Sequence, residues 1–288
     1  MTGAPAWIPP GPALLFCPAD RPERYGKAAD RADVVIIDLE DAVAPAARPA
    51  AREALTASEL DPDRTIVRVN PVDTDDHAAD LEALAATGYR CVMLAKTESA
   101  AQVTDVHSAT GAAVLALVET PLGVVRAEEI AAAPGCAGLM WGAEDLLAAM
   151  GGSTSRFSAT EAGGPRVAGE YRDVPRHARA RVALAAAACG RWAVDSVHRD
   201  IADEAGQRAE ALDAVALGYV GTACIHPSQV AVVRGAYAPD DDDVAWARRV
   251  LDAAEHEKGV FQLDGRMVDG PVFRQAEATL RRAQAANS

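Results

Sequence analysis

Short, uninterrupted apolar runs alternate along this chain with longer stretches in which apolar residues recur every three or four positions. The runs begin with Ala13-Leu14-Leu15-Phe16, Val34-Val35-Ile36-Ile37 and Ile66-Val67-Arg68-Val69. Cys91-Val92-Met93-Leu94, the segment Val114 to Val118 and Gly138-Leu139-Met140-Trp141 follow. Ala193-Val194 and a segment from Tyr219-Val220 through Ile225 close the series less clearly. None of the runs alternates polar with apolar residues, which predicts strands buried on both faces, as in a parallel sheet covered by helices. Between them, Asp80 to Ala86 repeats Leu81, Leu84 and Ala85 before Gly88, and Pro175 to Ala188 is Ala-rich and ends at Gly190. Ala205 to Leu217 carries Ala209, Leu212 and Val215 before Gly218. Such periodicity with a following glycine predicts core-facing helices with left-handed caps. About eight strand–helix units favour α/β architecture closed as a parallel (β/α)8 TIM barrel over an open sheet.

Two segments depart from the alternation. Gly151 to Gly169 is rich in Gly, Ser and Thr, as in lids and binding loops, although a disordered surface excursion has the same composition. After Pro239, four aspartates, Asp240 to Asp243, lead into a helix from Val244 to Glu257, where the helix dipole favours acids at the start. Val260 to Leu263 and Arg266 to Val268 read as a strand pair turning at Asp264-Gly265, and Pro271 opens a last helix to about Ala283. The chain therefore divides into a barrel, residues 1–238, and a small helix–hairpin–helix appendage, residues 239–288, which has little core of its own and must dock elsewhere.

Charge narrows the partners. A formal net charge of -14, from 28 basic against 42 acidic residues, repels phosphate backbones, so nucleic acid is not expected. Any anionic ligand must then meet local Arg or Lys groups. The longest apolar run, Val182 to Cys189, is too short to span a bilayer, and Met1 to Pro12 lacks a basic region and an apolar core, so neither membrane insertion nor secretion is indicated. Five cysteines without a CxxC pair or zinc spacing read as reduced thiols of a cytoplasmic protein.

In a β/α barrel, chemistry sits just past the C-terminal ends of the strands. There the chain places Asp38-Leu39-Glu40-Asp41, then Arg68 with Asn70, then Lys96, Glu119-Thr120 and Gly142-Ala143-Glu144-Asp145. Glu119 and Asp145 follow neighbouring strands without His or Cys beside them, so they could share one hard cation, Mg2+. Asp145 could equally be the N-cap of the helix that follows it. Arg68, alone among Ile and Val, could grip a substrate carboxylate, or form an ion pair with Glu40 or Asp41. Lys96 could neutralise a developing anion, form a Schiff base or close a salt bridge. The Asp38/Glu40/Asp41 cluster could include a base, an outer partner of a metal or an orienter of Arg68.

These motifs, with Phe16-Cys17-Pro18 and Ile225-His226-Pro227-Ser228-Gln229, occur in the order of the HpcH/HpaI aldolase and citrate lyase beta-subunit family, which the chain resembles from about Leu14 to Ala283. Leu15-Phe16-Cys17-Pro18-Ala19-Asp20-Arg21-Pro22-Glu23-Arg24 and Met140-Trp141-Gly142-Ala143-Glu144-Asp145-Leu146 are similar to the stand-alone branch linked to 3-hydroxyacyl-CoA lyase activity. The resemblance implies Glu119 and Asp145 as Mg2+ ligands, Arg68 as the binder of the keto-acid carboxylate and Glu40 as a site carboxylate near it. It implies that backbone amides around Glu144 and Asp145 help to hold that carboxylate, with His226 and Gln229 near the CoA path. It further implies that Asp269 reaches a neighbouring subunit's site in a homo-oligomer, usually a trimer. The expected reaction is Mg2+-dependent cleavage of a 3-hydroxyacyl-CoA such as citramalyl-CoA or malyl-CoA to an acyl-CoA and a 2-keto acid like pyruvate, glyoxylate or oxaloacetate. A metal-dependent pyruvate aldolase on free hydroxy-keto acids and a non-catalytic citrate-lyase-like subunit are the alternatives. Two positions depart from the family pattern: Pro12-Ala13 stands where many relatives have an Arg, and Ala95-Lys96 replaces the usual Pro-Lys.

Overall fold

The structure is a computed structural model that describes residues 7–161, 163, 167–256 and 259–286. Eight parallel strands close into a barrel in chain order: β1 Ala13–Pro18, β2 Val34–Asp38, β3 Thr65–Val69, β4 Cys91–Leu94, β5 Ala113–Val118, β6 Cys136–Trp141, β7 Trp192–Asp195 and β8 Gly221–Cys224. β8 pairs back onto β1. The connecting helices are α1 Tyr25–Arg31, α2 Arg48–Thr56, α3 His77–Ala85, α4 Ala100–Thr110, α5 Pro121–Val125, α6 Ala127–Ala132, α7 Ala143–Ala149, α8 Asp173–Ala188 and α9 Glu204–Leu217. After β8 comes α10 Ser228–Tyr237.

The strands form where they do because their apolar runs can be buried twice. Ile36, Ile66, Met93, Leu115, Leu117 and Met140 belong to one buried cluster that fills the barrel. Trp7 and Trp192 pack together in the same cluster, their ring centroids 5.7 Å apart, and the indole N–H of Trp192 donates to the Trp7 carbonyl at 3.1 Å. Gly218 caps α9 in the left-handed conformation, as the pattern predicts, with φ 89°. Gly88 does not do so for α3, which ends earlier, at Ala86 in right-handed conformation. The periodicity marks neither α1, α2 and α5 to α7, with at most nine residues each, nor α4, with eleven.

Of the Gly151 to Gly169 excursion, residues 162 and 164–166 lie outside the described residues. The rest is tied down. Arg156 and Tyr171 form a bridge, the Arg156 guanidinium sits 3.7 Å over the Tyr171 ring, and its Nη2 donates to Glu210 of α9 at 3.1 Å.

Compactness divides the chain into two units, Met1–Val233 and Arg234–Ser288, the division falling inside α10. The second unit continues with α11 Asp241–Ala254, β9 Phe261–Leu263, β10 Arg266–Val268 and α12 Gly270–Ala286. Asp240 caps α11 by accepting from the Asp243 N–H at 2.7 Å; Glu257, the predicted end of this helix, lies outside the described residues. Asp264 and Gly265 both have positive φ, 48° and 78°, as the two-residue hairpin between β9 and β10 requires. Val250, Val268 and Ala276 give this unit a small core of its own. Cys17, Cys91, Cys136 and Cys224 are buried, and all five cysteines are free. Among the described residues, no helix is long and apolar enough to cross a membrane.

Candidate active site

Strand register assembles the first part of the site. Asp38, the last residue of β2, pairs in register with Arg68 of β3. The Arg68 Nε and Nη2 each donate to a different Asp38 oxygen at 2.6 Å, a two-pronged ion pair buried at 8% and 1% exposure. The Asp38 carboxylate also accepts from the backbone N–H groups of Glu40 and Ala42 at 3.0 and 3.1 Å, which fixes the turn after β2. The Arg68 guanidinium lies 4.9 Å from the centre of the Phe16 ring. The main partner of Arg68 is therefore Asp38. Glu40 is secondary: its Oε2 lies 2.9 Å from Arg68 Nη1, but off the hydrogen-bonding direction, so this buried oxygen has no hydrogen bond among the described residues. Asp41 is farther away, at 3.9 Å.

Lys96 follows β4 in a left-handed backbone conformation, φ 50°. That turn aims its N–H at Glu119 Oε1, 3.1 Å away, and its ammonium at three carboxylates. Nζ makes a short hydrogen bond to Glu40 Oε1 and lies 3.4 Å from Asp145 Oδ1 and 3.9 Å from Glu119 Oε1. Burial works against the lysine's charge, but Glu40 and Glu119 outweigh it and raise the pKa. Glu119 is buried at 3% exposure after β5, and burial together with the Asp145 carboxylate pushes its carboxyl up to about 8. Burial likewise raises Glu40, against the opposing charges of Arg68 and Lys96.

Gly142, after β6, makes room for Glu119. A Cβ there would stand 2.7 Å from Glu119 Oε2 and 2.8 Å from its Cβ. Asp145 lies in the first turn of α7, whose N-cap is Gly142, so it is not the capping residue. Glu144 beside it accepts from Ser155 Oγ at 2.6 Å and from Arg199 Nη1 at 2.8 Å, joining the excursion after α7 to the loop after β7.

These groups flank a cavity of about 370 Å³ at the C-terminal mouth of the barrel. Arg68, Glu119, Glu144 and Asp38 line it, over a floor of Phe16, Leu117 and Met140. Ser196, Val197 and Ile225 supply a wall, of which the sequence pattern singles out neither Ser196 nor Val197, since β7 is among its least distinct strands. Glu40, Lys96 and Asp145 stand beside Glu119 without lining the cavity.

The other expected site residues have different surroundings. Gln229 is buried at 1% exposure, and both ends of its amide are engaged: Oε1 accepts from the Ile225 and His226 N–H groups, and Nε2 donates to the His198 carbonyl. It braces the turn after β8. His226 is exposed, with Nδ1 2.8 Å from Ser228 Oγ. Asp269 belongs to the second unit, half-buried, and its Oδ1 accepts from the Val272 N–H at 3.4 Å as α12 begins.

The donor chemistry suits a hard divalent cation. Two cations, Arg68 and Lys96, contact five carboxylates, Asp38, Glu40, Asp41, Glu119 and Asp145. Carboxylates outnumber cations there, and oxygen-only donors are the ligands Mg2+ takes. Among the described residues, no group of three or more His, Cys, Asp or Glu side chains is arranged to hold a metal.

A barrel whose mouth gathers an arginine fork and paired carboxylates is the setting of metal-assisted carbon–carbon cleavage, and a family model described as a C–C bond lyase of the TIM-barrel fold matches residues 174–286. The chain is a carbon–carbon lyase. It belongs to the HpcH/HpaI aldolase/citrate lyase family, whose model matches residues 13–227. A citrate lyase subunit beta-like protein of Mycobacterium tuberculosis is 56% identical over 278 residues, covering 96% of this chain and 97% of that protein. An L-malyl-CoA/beta-methylmalyl-CoA lyase of Rhodobacter capsulatus is 34% identical over 310 residues, 96% of this chain and 98% of that one. The crystal structure of the protein CitE from Mycobacterium tuberculosis in complex with magnesium, acetoacetate and coenzyme A superposes with a TM-score of 0.84 at 56% identity, covering 95% of this chain and 98% of that chain.

Proposed function

We propose that this chain is a Mg2+-dependent lyase that cleaves a 3-hydroxyacyl-CoA thioester, such as citramalyl-CoA or malyl-CoA, into an acyl-CoA and a 2-keto acid. The observation that carries the reading is the carboxylate pair Glu119 and Asp145, gathered around one ammonium after neighbouring strands, next to the Arg68 fork. The magnesium and coenzyme A bound by the mycobacterial relative, and the malyl-CoA substrate named for the Rhodobacter enzyme, support it.

Glu119 and Asp145 would hold the metal, which supplies Lewis-acid polarisation of the substrate oxygens when bound. Asp38 occupies Nε and one N–H of Nη2, and Glu40 Oε2 lies 2.9 Å from Nη1, so the carboxylate of the acid fragment would meet the guanidinium end-on beside Glu40. Phe16, Leu117 and Met140 exclude water beneath it. A base of the site's carboxylate cluster, with Glu40 beside Arg68 as the candidate, takes the substrate hydroxyl proton, the carbon–carbon bond breaks with its electron pair passing to the thioester α-carbon, and the former hydroxyl carbon becomes the keto-acid carbonyl. Asp269 of a neighbouring subunit then protonates the α-carbon. In this reading, residues 239–288 of each chain close over a neighbour in a homotrimer or a multiple of it, and the enzyme works in the cytoplasm.

A panel of purified substrates separates the readings. Citramalyl-CoA, malyl-CoA and methylmalyl-CoA thioesters and free hydroxy-keto acids are each incubated with the protein and Mg2+, and the released 2-keto acid is measured. Cleavage of a CoA thioester is expected; cleavage of free hydroxy-keto acids alone points to an aldolase, and no cleavage at all to a non-catalytic subunit. Asp269→Asn should bind metal normally yet lose about 10²–10⁴-fold in turnover. Mixed with inactive Glu119→Ala under confirmed subunit exchange, it should regain activity, because some sites then combine an intact metal centre with an intact Asp269; no recovery contradicts the shared site.

A further inference from the structure

We propose that Lys96 is an exchangeable counter-ion for the metal: its ammonium, hydrogen-bonded to Glu40, lies against Glu119 and Asp145, and a divalent cation drawn to those two displaces it from them, so that this side chain sets the affinity of the site. The inference rests on the reading of those two carboxylates as the magnesium ligands. Three observations carry it.

The first is position. Nζ lies 3.4 Å from Asp145 Oδ1 and 3.9 Å from Glu119 Oε1, so a cation shared by the same two carboxylates meets a like charge at close range. Two cations cannot both sit close to these oxygens without strong repulsion. The second is the means of leaving. The Lys96 side chain is 32% exposed, and its backbone N–H, not its ammonium, donates the hydrogen bond that fixes Glu119 Oε1. The ammonium can therefore move off Glu119 and Asp145, with Glu40 as the carboxylate it retreats onto, while the backbone N–H keeps Glu119 in place. The third is residue choice. Lysine occurs at only three positions in this chain, Lys27, Lys96 and Lys258, among 28 basic residues. Arginine forms the fixed pairs, as at Arg68–Asp38 and Arg179–Asp195. The carboxylate cage instead receives a compact charge on a flexible stem, whose ion pairs lack the planar fork that locks arginine in place.

The test is Mg2+ titration by calorimetry into chelator-treated full-length protein, without substrate, for wild type, Lys96→Met and Lys96→Arg. Lys96→Met should bind Mg2+ about tenfold more tightly, since the competing charge is gone. Lys96→Arg keeps that charge and should bind no more tightly than wild type. Amine acetylation of wild type, read by mass spectrometry, needs no substitution: Lys96 labelling should rise several-fold when Mg2+ saturates the protein, with Lys27 and Lys258 as internal references. Equal or weaker Mg2+ binding by Lys96→Met, or Lys96 labelling that Mg2+ leaves unchanged, overturns the proposal even where wild type binds the metal. If wild type binds no Mg2+, the assignment of Glu119 and Asp145 falls, and this inference with it.

Discussion

Arg68 serves two partners with one guanidinium. Asp38 takes its Nε edge through two hydrogen bonds of 2.6 Å, Glu40 Oε2 lies 2.9 Å from Nη1, and the residue lines the cavity. Arg68→Lys keeps the charge but can reproduce neither the fork toward Asp38 nor an end-on grip. Pyruvate or glyoxylate affinity in the presence of Mg2+, measured by calorimetry, should fall at least about tenfold; unchanged affinity would reduce Arg68 to a structural ion pair. An arginine amid Ile and Val was legible from the chain. Its partner was not, because Asp38 faces Arg68 only through the register of β2 on β3, and local sequence does not state register. For the same reason Asp145 stood open between metal ligand and helix cap. The start of α7 at Ala143 decides against the cap, and one turn of helix is too little for the pattern to fix its beginning.

At the scale of elements, the site depends on where strands stop. Glu119 follows β5 and Gly142 follows β6, and the carboxylate fits only because Gly142 has no Cβ. The Gly142 backbone, at φ -125° and ψ 123°, would accept alanine, so Gly142→Ala is a steric test without backbone strain. It should fold and weaken Mg2+ binding by about 10–100-fold, the range for disturbing a ligand's support. Wild-type affinity in that variant would mean that Glu119 is not held where the metal needs it. The strands themselves were readable, because a short, continuously apolar run bounded by turn residues suits a strand buried on both faces, and β4 falls at Cys91–Leu94 as its run predicts. The short helices were not, and neither was the way Glu144 ties Ser155 to Arg199, a contact between loops far apart in the chain.

Across the whole molecule, the chain's acidity and the buried carboxylates set a pH dependence. The folded protein keeps a proton on Glu119 up to about 8, against an ordinary value of 4.5. Between those values the folded state binds more protons than the unfolded one, so this group makes stability fall as pH rises. Thermal melting of chelator-treated protein should therefore drop between about pH 5 and pH 8 relative to Glu119→Gln, whose amide does not titrate. Saturating Mg2+ should diminish the drop by favouring the ionised carboxylate. A melting temperature that follows the variant's across this range would show Glu119 already ionised. The appendage was legible as helix, hairpin and helix because Asp264-Gly265 and the aspartate run are strong local signals. The proposed chemistry turns on the metal pair. Calorimetric titration of Mg2+ into wild type and Glu119→Gln tests it most directly: one site is expected in wild type, with affinity more than about 100-fold lower in the variant, and equal affinity in the two proteins would contradict it.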